Sequence, residues 1–318
     1  MWPRFLLALA ILTTFEGHAQ TYPSKPVRVV VPSSPGGASD LVTRIVAAAL
    51  GERLGQPFVV ENRVTSGGLV ATQQVAEASP DGYTLLSTFD TFAINPYLFK
   101  GLKWDPVRDF APLMQVCRYP QVLLVHPSLG VKTLREFVAL AKEKGAQLNY
   151  GSAGQASSSR LAYEHFKDTA GIETVAIHYK GGGPAIQDLL SGQVQVMLIQ
   201  GGGAIPQYVK TGKLVALAVS SLERSKFYPE LPTIAETYPG FESESWVGMF
   251  APAATPRPVV AQLHSVLEKI LSEGNIRERL ESQGCDVVGG PAEALAARVR
   301  SDQAKWSRII RDKNITVQ

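Results

Sequence analysis

The sequence predicts an α/β protein made of two doubly wound sheets. From Val27 onward, short β-branched segments alternate with amphipathic segments of helical period, the pattern of helices layered on a mostly parallel sheet. The chain has 318 residues, which corresponds to about two domains at roughly 100–200 residues each. Hydrophobic residues make up 45% and charged residues 19% of the chain, so it has enough apolar side chains to exclude a disordered protein.

Each predicted element follows from its local pattern. Runs rich in Val, Ile and Leu, bounded by turn residues, predict strands at residues 27–31, 58–61, 84–87, 122–125, 174–177, 194–199 and 214–219. Apolar residues recurring at helical spacing predict helices at residues 40–54, 133–144, 157–169, 258–272 and 291–312.

Residues 1–19 have the pattern of a secretory signal peptide. Arg4 precedes an apolar run at residues 5–15, and Gly17-His18-Ala19 forms a small-x-small cleavage site. The run is shorter than the roughly 20 residues that a membrane-spanning helix needs. We therefore expect cleavage after Ala19 and a mature protein in the periplasm, which favours exported binding proteins and exported hydrolases.

Charge and cysteine content exclude several classes. The 31 basic and 28 acidic residues give a net charge of +3 without a basic cluster, so a nucleic-acid partner is not expected. Cys117 and Cys285 share no short spacing, and we interpret them as buried apolar side chains in preference to a disulfide. The histidines form no ligand cluster, and no phosphate-binding or zinc motif occurs. We expect neither a metal nor a cofactor.

Two loop-like segments, residues 118–121 and 228–245, suggest where the chain crosses between lobes. The predicted first lobe comprises residues 20–121 and 245–318, and the second lobe comprises residues 122–244. Two crossings form a hinge, and a cleft between such lobes is where α/β proteins bind ligands.

Two strand-to-helix loops are rich in hydrogen-bond donors. Backbone N–H groups at a helix N-terminus bind anions, and glycines let the backbone approach a ligand closely. The candidate binding residues are Ser33, Ser34, Gly36, Gly37, Ala38, Ser39 and Asp40 in the first loop, and Gly151, Ser152, Ala153, Gly154, Ser157, Ser158 and Arg160 in the second. The alternative is local capping, with Ser39 as the N-cap of the first helix and the serines capping the second. Glycine-rich turns at residues 179–184 and 200–204 follow the same design.

The motifs of common enzymes are missing. Gly151-Ser152-Ala153-Gly154 lacks the GxSxG spacing, so we expect no catalytic activity. A secreted hydrolase that uses a serine of the second loop remains the alternative, because triad residues need not be close in sequence.

Ordered segments along almost the whole mature chain resemble the substrate-binding proteins of tripartite tricarboxylate transporters, the Bug family. They are YPSKPVRVVVPSSPGGASD, GQPFVVENRVTSGG, SPDGYTLL, AINPYLF, WDPVRDFAPL, LNYGSAGQASSSRLA, YKGGGPAIQDLLSGQVQVM and ESWVGMFAPAATP. The resemblance implies a type II periplasmic-binding-protein fold: two doubly wound lobes with a hinge and a central cleft. It also implies a monomer that grips a small organic mono- or dicarboxylate between its two donor-rich loops. The expected recipient is a membrane permease, or alternatively a sensor receptor.

Departures from the family pattern bear on specificity. Arg118 and Arg160 replace other residue types, and together in the cleft they would favour a ligand with a second anionic group. Phe89 and Phe92 are candidates for a distal wall that stacks on an aromatic acid, or for ordinary core aromatics.

Overall fold

A computed structural model describes residues 22–64 and 68–317, so the predicted signal peptide lies outside the described residues. The described part contains strands β1 (Val27–Val31), β2 (Phe58–Asn62), β3 (Thr84–Phe89), β4 (Phe110–Val125), β5 (Asn149–Ser152), β6 (Val175–His178), β7 (Val196–Gln200), β8 (Val215–Val219), β9 (Glu244–Pro252) and β10 (Asp286–Val287). Its helices are α1 (Ala38–Leu54), α2 (Leu69–Ala76), α3 (Thr91–Leu98), α4 (Leu134–Lys144), α5 (Ser158–Ala170), α6 (Gly182–Leu190), α7 (Ile205–Lys210), α8 (Arg257–Ser272), α9 (Gly274–Glu281) and α10 (Ala292–Asp312). None of these helices has the length and apolar character needed to cross a bilayer.

The strands form one mixed sheet in the order β2-β1-β3-β9-β4-β7-β5-β6, with β8 and β10 also paired to β4. The pairs β1–β2, β1–β3, β5–β6 and β5–β7 are parallel, whereas β4 and β9 run antiparallel to their neighbours. Below, "the first half" means β1, β2, β3, β9, β10 and β4 up to Pro120, with their helices. "The second half" means β5 to β8 and β4 from Gln121, with theirs.

The apolar core divides in the same way. Two clusters contain only residues of the ranges 27–119 and 246–299, and two others contain only residues of the range 122–241. This division supports the predicted lobe boundaries, which stay a prediction. A further cluster joins the halves, because Ile94 and Leu98 of α3 and Trp306 and Ile310 of α10 pack with Leu161 of α5.

Helix ends follow local chemistry. Thr133 and Glu136 form a capping box at α4, and the Ser157 hydroxyl accepts from the Arg160 N–H at 3.3 Å as the N-cap of α5. The prediction that Ser39 caps α1 is wrong. Gly37 is the N-cap, and Ser39 lies inside the first turn of the helix.

The interpretation of the cysteines as free apolar side chains is also wrong. Cys117 of β4 and Cys285 form a disulfide across a sequence separation of 168 residues. Both residues are fully buried in the core of the first half. The bridge fixes the segment that leads into β10, which makes only two residue pairs with β4.

Candidate functional site

A cavity of about 450 Å³ lies between the two halves of the sheet. Elements of both halves and of the crossing strands β4 and β9 border it. Its wall contains Ser33, Gly37, Ala38, Ser39, Phe89, Thr91, Asn95, Phe99, Tyr119, Gln121, Ala153, Gly154, Ala156, Ser157, Ser158, Ser159, Gly181, Gly182, Ile199, Gln200 and Val247. Among the described residues on this wall, none has a charged side chain.

The turn between β1 and α1 presents a helix N-terminus to the cavity. The Gly37 N–H donates to the Ser34 carbonyl at 3.2 Å, and the Ser33 and Ser39 hydroxyls lie 2.7 Å apart. A Cβ at Gly37 would lie 3.3 Å from the Ser34 oxygen, so this close turn favours glycine. The first N–H groups of a helix have no intrahelical acceptor and carry a partial positive charge.

Asp40 supports that turn from behind and does not border the cavity. Its buried carboxylate accepts from the Gly36 N–H at 2.8 Å, from Asn62 Nδ2 at 2.8 Å and from Arg44 Nε at 3.1 Å. Burial opposes ionisation, but these hydrogen bonds and the Arg44 charge together lower the pKa of Asp40. The carboxylate is therefore occupied in holding the turn.

The turn between β5 and α5 presents a second helix N-terminus from the second half of the sheet. Ser157 Oγ donates to the Gly154 carbonyl at 2.6 Å and lies 3.0 Å from Ser159 Oγ, and the Ala153 N–H donates to Ser159 Oγ at 2.9 Å. The serines thus order the turn while the start of α5 faces the cavity.

The glycine turn after β6 adds a third helix N-terminus. The Gly181 N–H donates to the Ala153 carbonyl at 2.9 Å, which joins this turn to the second one, and Gly182 begins α6 at the cavity wall. Gln200, at the end of β7, also borders the cavity. Three helix dipoles of the same sign therefore end at one cavity, which favours an anion there.

Several predicted binding residues do not border the cavity. They are Ser34, Gly36, Asp40, Gly151, Ser152, Arg118 and Arg160. Ser34 and Gly36 lie at the exposed outer edge of the first turn, and Gly151 is buried against Val194 and Met197.

The two arginines do not supply a second anion site in the cleft. Arg118 forms ion pairs with Asp286 at 2.9 Å and Glu244 at 3.9 Å, because alternation along β4 places its side chain away from the face that carries Tyr119. Arg160 donates through Nη1 to the carbonyls of Gln155 and Thr316. Neither arginine borders the cavity, so the condition for a second anionic group bound by both of them is not met.

Ser152 has a hydrogen-bonded histidine but no access to the cavity. Its hydroxyl lies 2.7 Å from His178 Nδ1, and the residue is fully buried beneath the second turn. Burial, and next the charge of Arg160, lower the pKa of His178. A nucleophile has to reach a bound substrate, and this serine faces the protein interior.

Of the two phenylalanines, Phe89 borders the cavity and Phe92 does not. Phe92 belongs to the core, where its ring centroid lies 5.6 Å from that of Trp104 and 4.7 Å from that of Phe250. The core interpretation is therefore right for Phe92, and the wall interpretation fits the position of Phe89.

Sequence reasoning missed the cavity residues on α3 and β4. Pro96 lies inside α3 and interrupts the helical pattern of the segment that carries Thr91 and Asn95, with Phe99 as the C-cap. The proline among residues 118–121 predicts a loop, whereas the structure continues β4 through them. Strand alternation was the available signal, since it places Tyr119 and Gln121 on one face.

Behind the wall, Asp90 links the two halves. Its side chain caps α3 and hydrogen bonds with Ser245 of β9 and Ser158 of α5. Complete burial, and next the nearby Asp302 carboxylate, raise the pKa of Asp90 to about 7, although the two serines and Arg298 act in the opposite direction. No group of three residues suited to hold a metal ion occurs in the described ranges.

Two α/β halves joined by crossing strands, with an anion-favouring cavity between them, define a two-lobed solute-binding protein. Residues 42–315 match the model of a protein family described as "Tripartite tricarboxylate transporter family receptor". The periplasmic binding protein BugD is 34% identical with a TM-score of 0.81, and the match covers 93% of this chain and 100% of that chain.

Two ligand-bound structures are equally similar. Rpa4515 of R. palustris with adipate is 31% identical with a TM-score of 0.84, covering 93% of this chain and 99% of that chain. MatC of Rhodopseudomonas palustris with bound malate is 32% identical with a TM-score of 0.80, covering 91% and 100%. The chain belongs to the tripartite tricarboxylate transporter receptor family, and the predicted type II periplasmic-binding-protein fold is confirmed.

Proposed function

We propose that this protein captures a small organic carboxylate in the cavity and delivers it to a tripartite tricarboxylate-type membrane permease. The observation that carries the proposal is the convergence of the N-termini of α1, α5 and α6 on one cavity whose described wall lacks charged side chains. Structures of two relatives with adipate and malate support a carboxylate as the ligand.

The positions of the helices explain how a ligand favours closure. α1 belongs to the first half and α5 and α6 belong to the second, so an anion between them interacts with both halves. Each helix end stabilises an anion by about 0.3–1 kcal/mol when exposed and by up to about 2 kcal/mol when partly buried. Only the arrangement that brings both halves to the anion gains all of these interactions, so the ligand shifts the population towards it.

The proposal also includes the division into lobes, the cellular compartment and the monomeric state. Residues 20–121 with 245–318 form one lobe and residues 122–244 the other. The buried Cys117–Cys285 disulfide supports export, since such bonds persist in oxidising compartments. Removal of residues 1–19 then leaves a monomer in the periplasm, without cofactor or catalytic activity.

The test compares a carboxylate with its neutral derivatives. A thermal-shift screen of aliphatic and aromatic acids identifies a stabilising acid, and calorimetry then measures that acid, its methyl ester and its amide. We expect the neutral derivatives to bind at least about 100-fold more weakly, because charge-assisted hydrogen bonds are lost. Equal affinity for the amide would contradict the proposal.

A glycine pair locates the site. Gly37→Val places a branched side chain at the close turn of the first loop and should abolish binding. Gly274→Val is the control, because a Cβ at Gly274, at the start of α9, meets no atom within 4 Å. Unchanged affinity in the Gly37 variant would remove the first turn from the site.

Capture of the permease by immobilised protein tests delivery. Capture of a receptor kinase instead would favour the sensor alternative.

A further inference from the structure

Two residues of the cavity wall, Tyr119 and Gln121, carry buried polar atoms that lack partners. Tyr119 and Gln121 are two residues apart on β4, so both side chains lie on the same face of the strand. Both border the cavity, and each is 1% exposed. Within the described part of the chain, Tyr119 Oη and Gln121 Oε1 make no hydrogen bond. Buried polar atoms are nearly always paired, so two unpaired atoms beside one cavity point to a ligand group that pairs with them.

These atoms have complementary chemistry. Burial raises the pKa of the Tyr119 phenol, so Tyr119 is a neutral donor at any physiological pH. The Nε2 of Gln121 is directed at Ser243 Oγ, 3.5 Å away, which leaves its carbonyl oxygen as an acceptor. A ligand hydroxyl can accept a hydrogen bond from Tyr119 Oη and donate one to Gln121 Oε1. A carboxylate has no proton to donate to Gln121.

The surroundings also disfavour a second charge. Phe89, Phe99, Ile199 and Val247 give the same cavity an apolar wall, and no described residue of the wall is cationic. A second carboxylate would be removed from water without a counter-charge, which costs far more than burying a neutral hydroxyl that is paired.

We infer, resting on the proposed function, that the ligand is a monocarboxylate with an apolar body and a neutral hydroxyl that pairs with Tyr119 and Gln121. The carboxylate is bound at the helix N-termini, and the hydroxyl is bound at the crossing strand. The preference for the hydroxyl is a property of Tyr119 and Gln121 on β4, and the preference for one charge follows from a described wall without cations.

The experiment uses two matched sets of acids: hexanoate, 6-hydroxyhexanoate and hexanedioate, and benzoate, 4-hydroxybenzoate and benzene-1,4-dicarboxylate. Calorimetry on the mature protein measures all six. In the set that fits the cavity, we expect the hydroxy acid to bind about ten-fold more tightly than the unsubstituted acid, the effect of about one buried hydrogen bond. We expect the diacid to bind most weakly.

Variants assign the preference to its residues. Tyr119→Phe and Gln121→Leu should each bring the ratio of the affinity for the hydroxy acid to that for the unsubstituted acid close to one. Tyr163→Phe is the control, because Tyr163 is a buried tyrosine of the second-half core away from the cavity. Melting temperatures verify that each variant is folded.

The outcomes separate the two claims. Binding of a diacid or an unsubstituted acid at least as tightly as the hydroxy acid refutes this inference and leaves carboxylate capture standing. A hydroxyl preference that survives both β4 substitutions also refutes it. If none of the six acids binds and the wider screen finds no carboxylate, the proposed function fails and this inference fails with it.

Discussion

Loss of the Cys117–Cys285 disulfide should strongly destabilise the protein. The bridge closes a loop across 168 residues, for which the chain-entropy relation gives about 5 kcal/mol at 25 °C. Residual structure in the unfolded chain reduces that value, so we expect reduction to lower the free energy of unfolding by about 3–5 kcal/mol. This is a large part of the roughly 5–15 kcal/mol that stabilises a native protein.

Urea unfolding of the oxidised and reduced wild-type protein measures the difference while keeping both sulfur atoms. The Cys117→Ala/Cys285→Ala double variant serves as a second sample, and its melting temperature should fall by at least about 6 °C. The double variant should have the same unfolding midpoint with and without reductant, because it has no disulfide to reduce. A difference of less than about 1 kcal/mol between oxidised and reduced wild type would refute the reasoning from loop length.

Three further results are expected. Gly182→Ala places a methyl group at the cavity wall 3.3 Å from Ile199 Cδ1 and should weaken carboxylate binding about ten-fold by calorimetry, whereas Gly183→Ala meets no atom within 4 Å and should not. Because the pKa of Asp90 is raised to about 7 while that of an unfolded aspartate is about 4, the native state binds more protons over this window. The contribution of Asp90 to stability therefore falls as pH rises from about 4 to 7, and Asp90→Asn should flatten that slope in urea unfolding. Arg118→Gln should leave carboxylate affinity unchanged, and a marked loss would mean that this side chain does reach the ligand.

The elements that the sequence predicted well are those with a local cause. The strand at residues 27–31 has the predicted bounds, and the predicted helix at 133–144 begins with Thr133 as its N-cap. The crossing strands were hidden because Pro112 and Pro120 interrupt the pattern of β4. β4 accommodates Pro112 at a shift of register against β9.

The sequence predicted the backbone turns that border the cavity, but it did not predict the directions of the side chains around them. The first two turns and the glycine turn after β6 contribute residues to one cavity. Arg118 and Arg160 are held by partners distant in sequence, Asp286 and Thr316, and no local pattern identifies those partners. The pairing of the cysteines is equally non-local.

The apolar cluster of α3, α5 and α10 constrains how the molecule changes shape. Leu161 of α5 packs there against Leu98 and Ile310 of the first half, so a rotation about the crossing strands has to slide one helix surface across two others. Contacts of this kind have no preferred direction, and sliding exchanges one set of methyl neighbours for another. We therefore expect a movement between the two halves to combine hinge and shear, because the packing of α5 against α3 and α10 has to slide while the crossing strands bend.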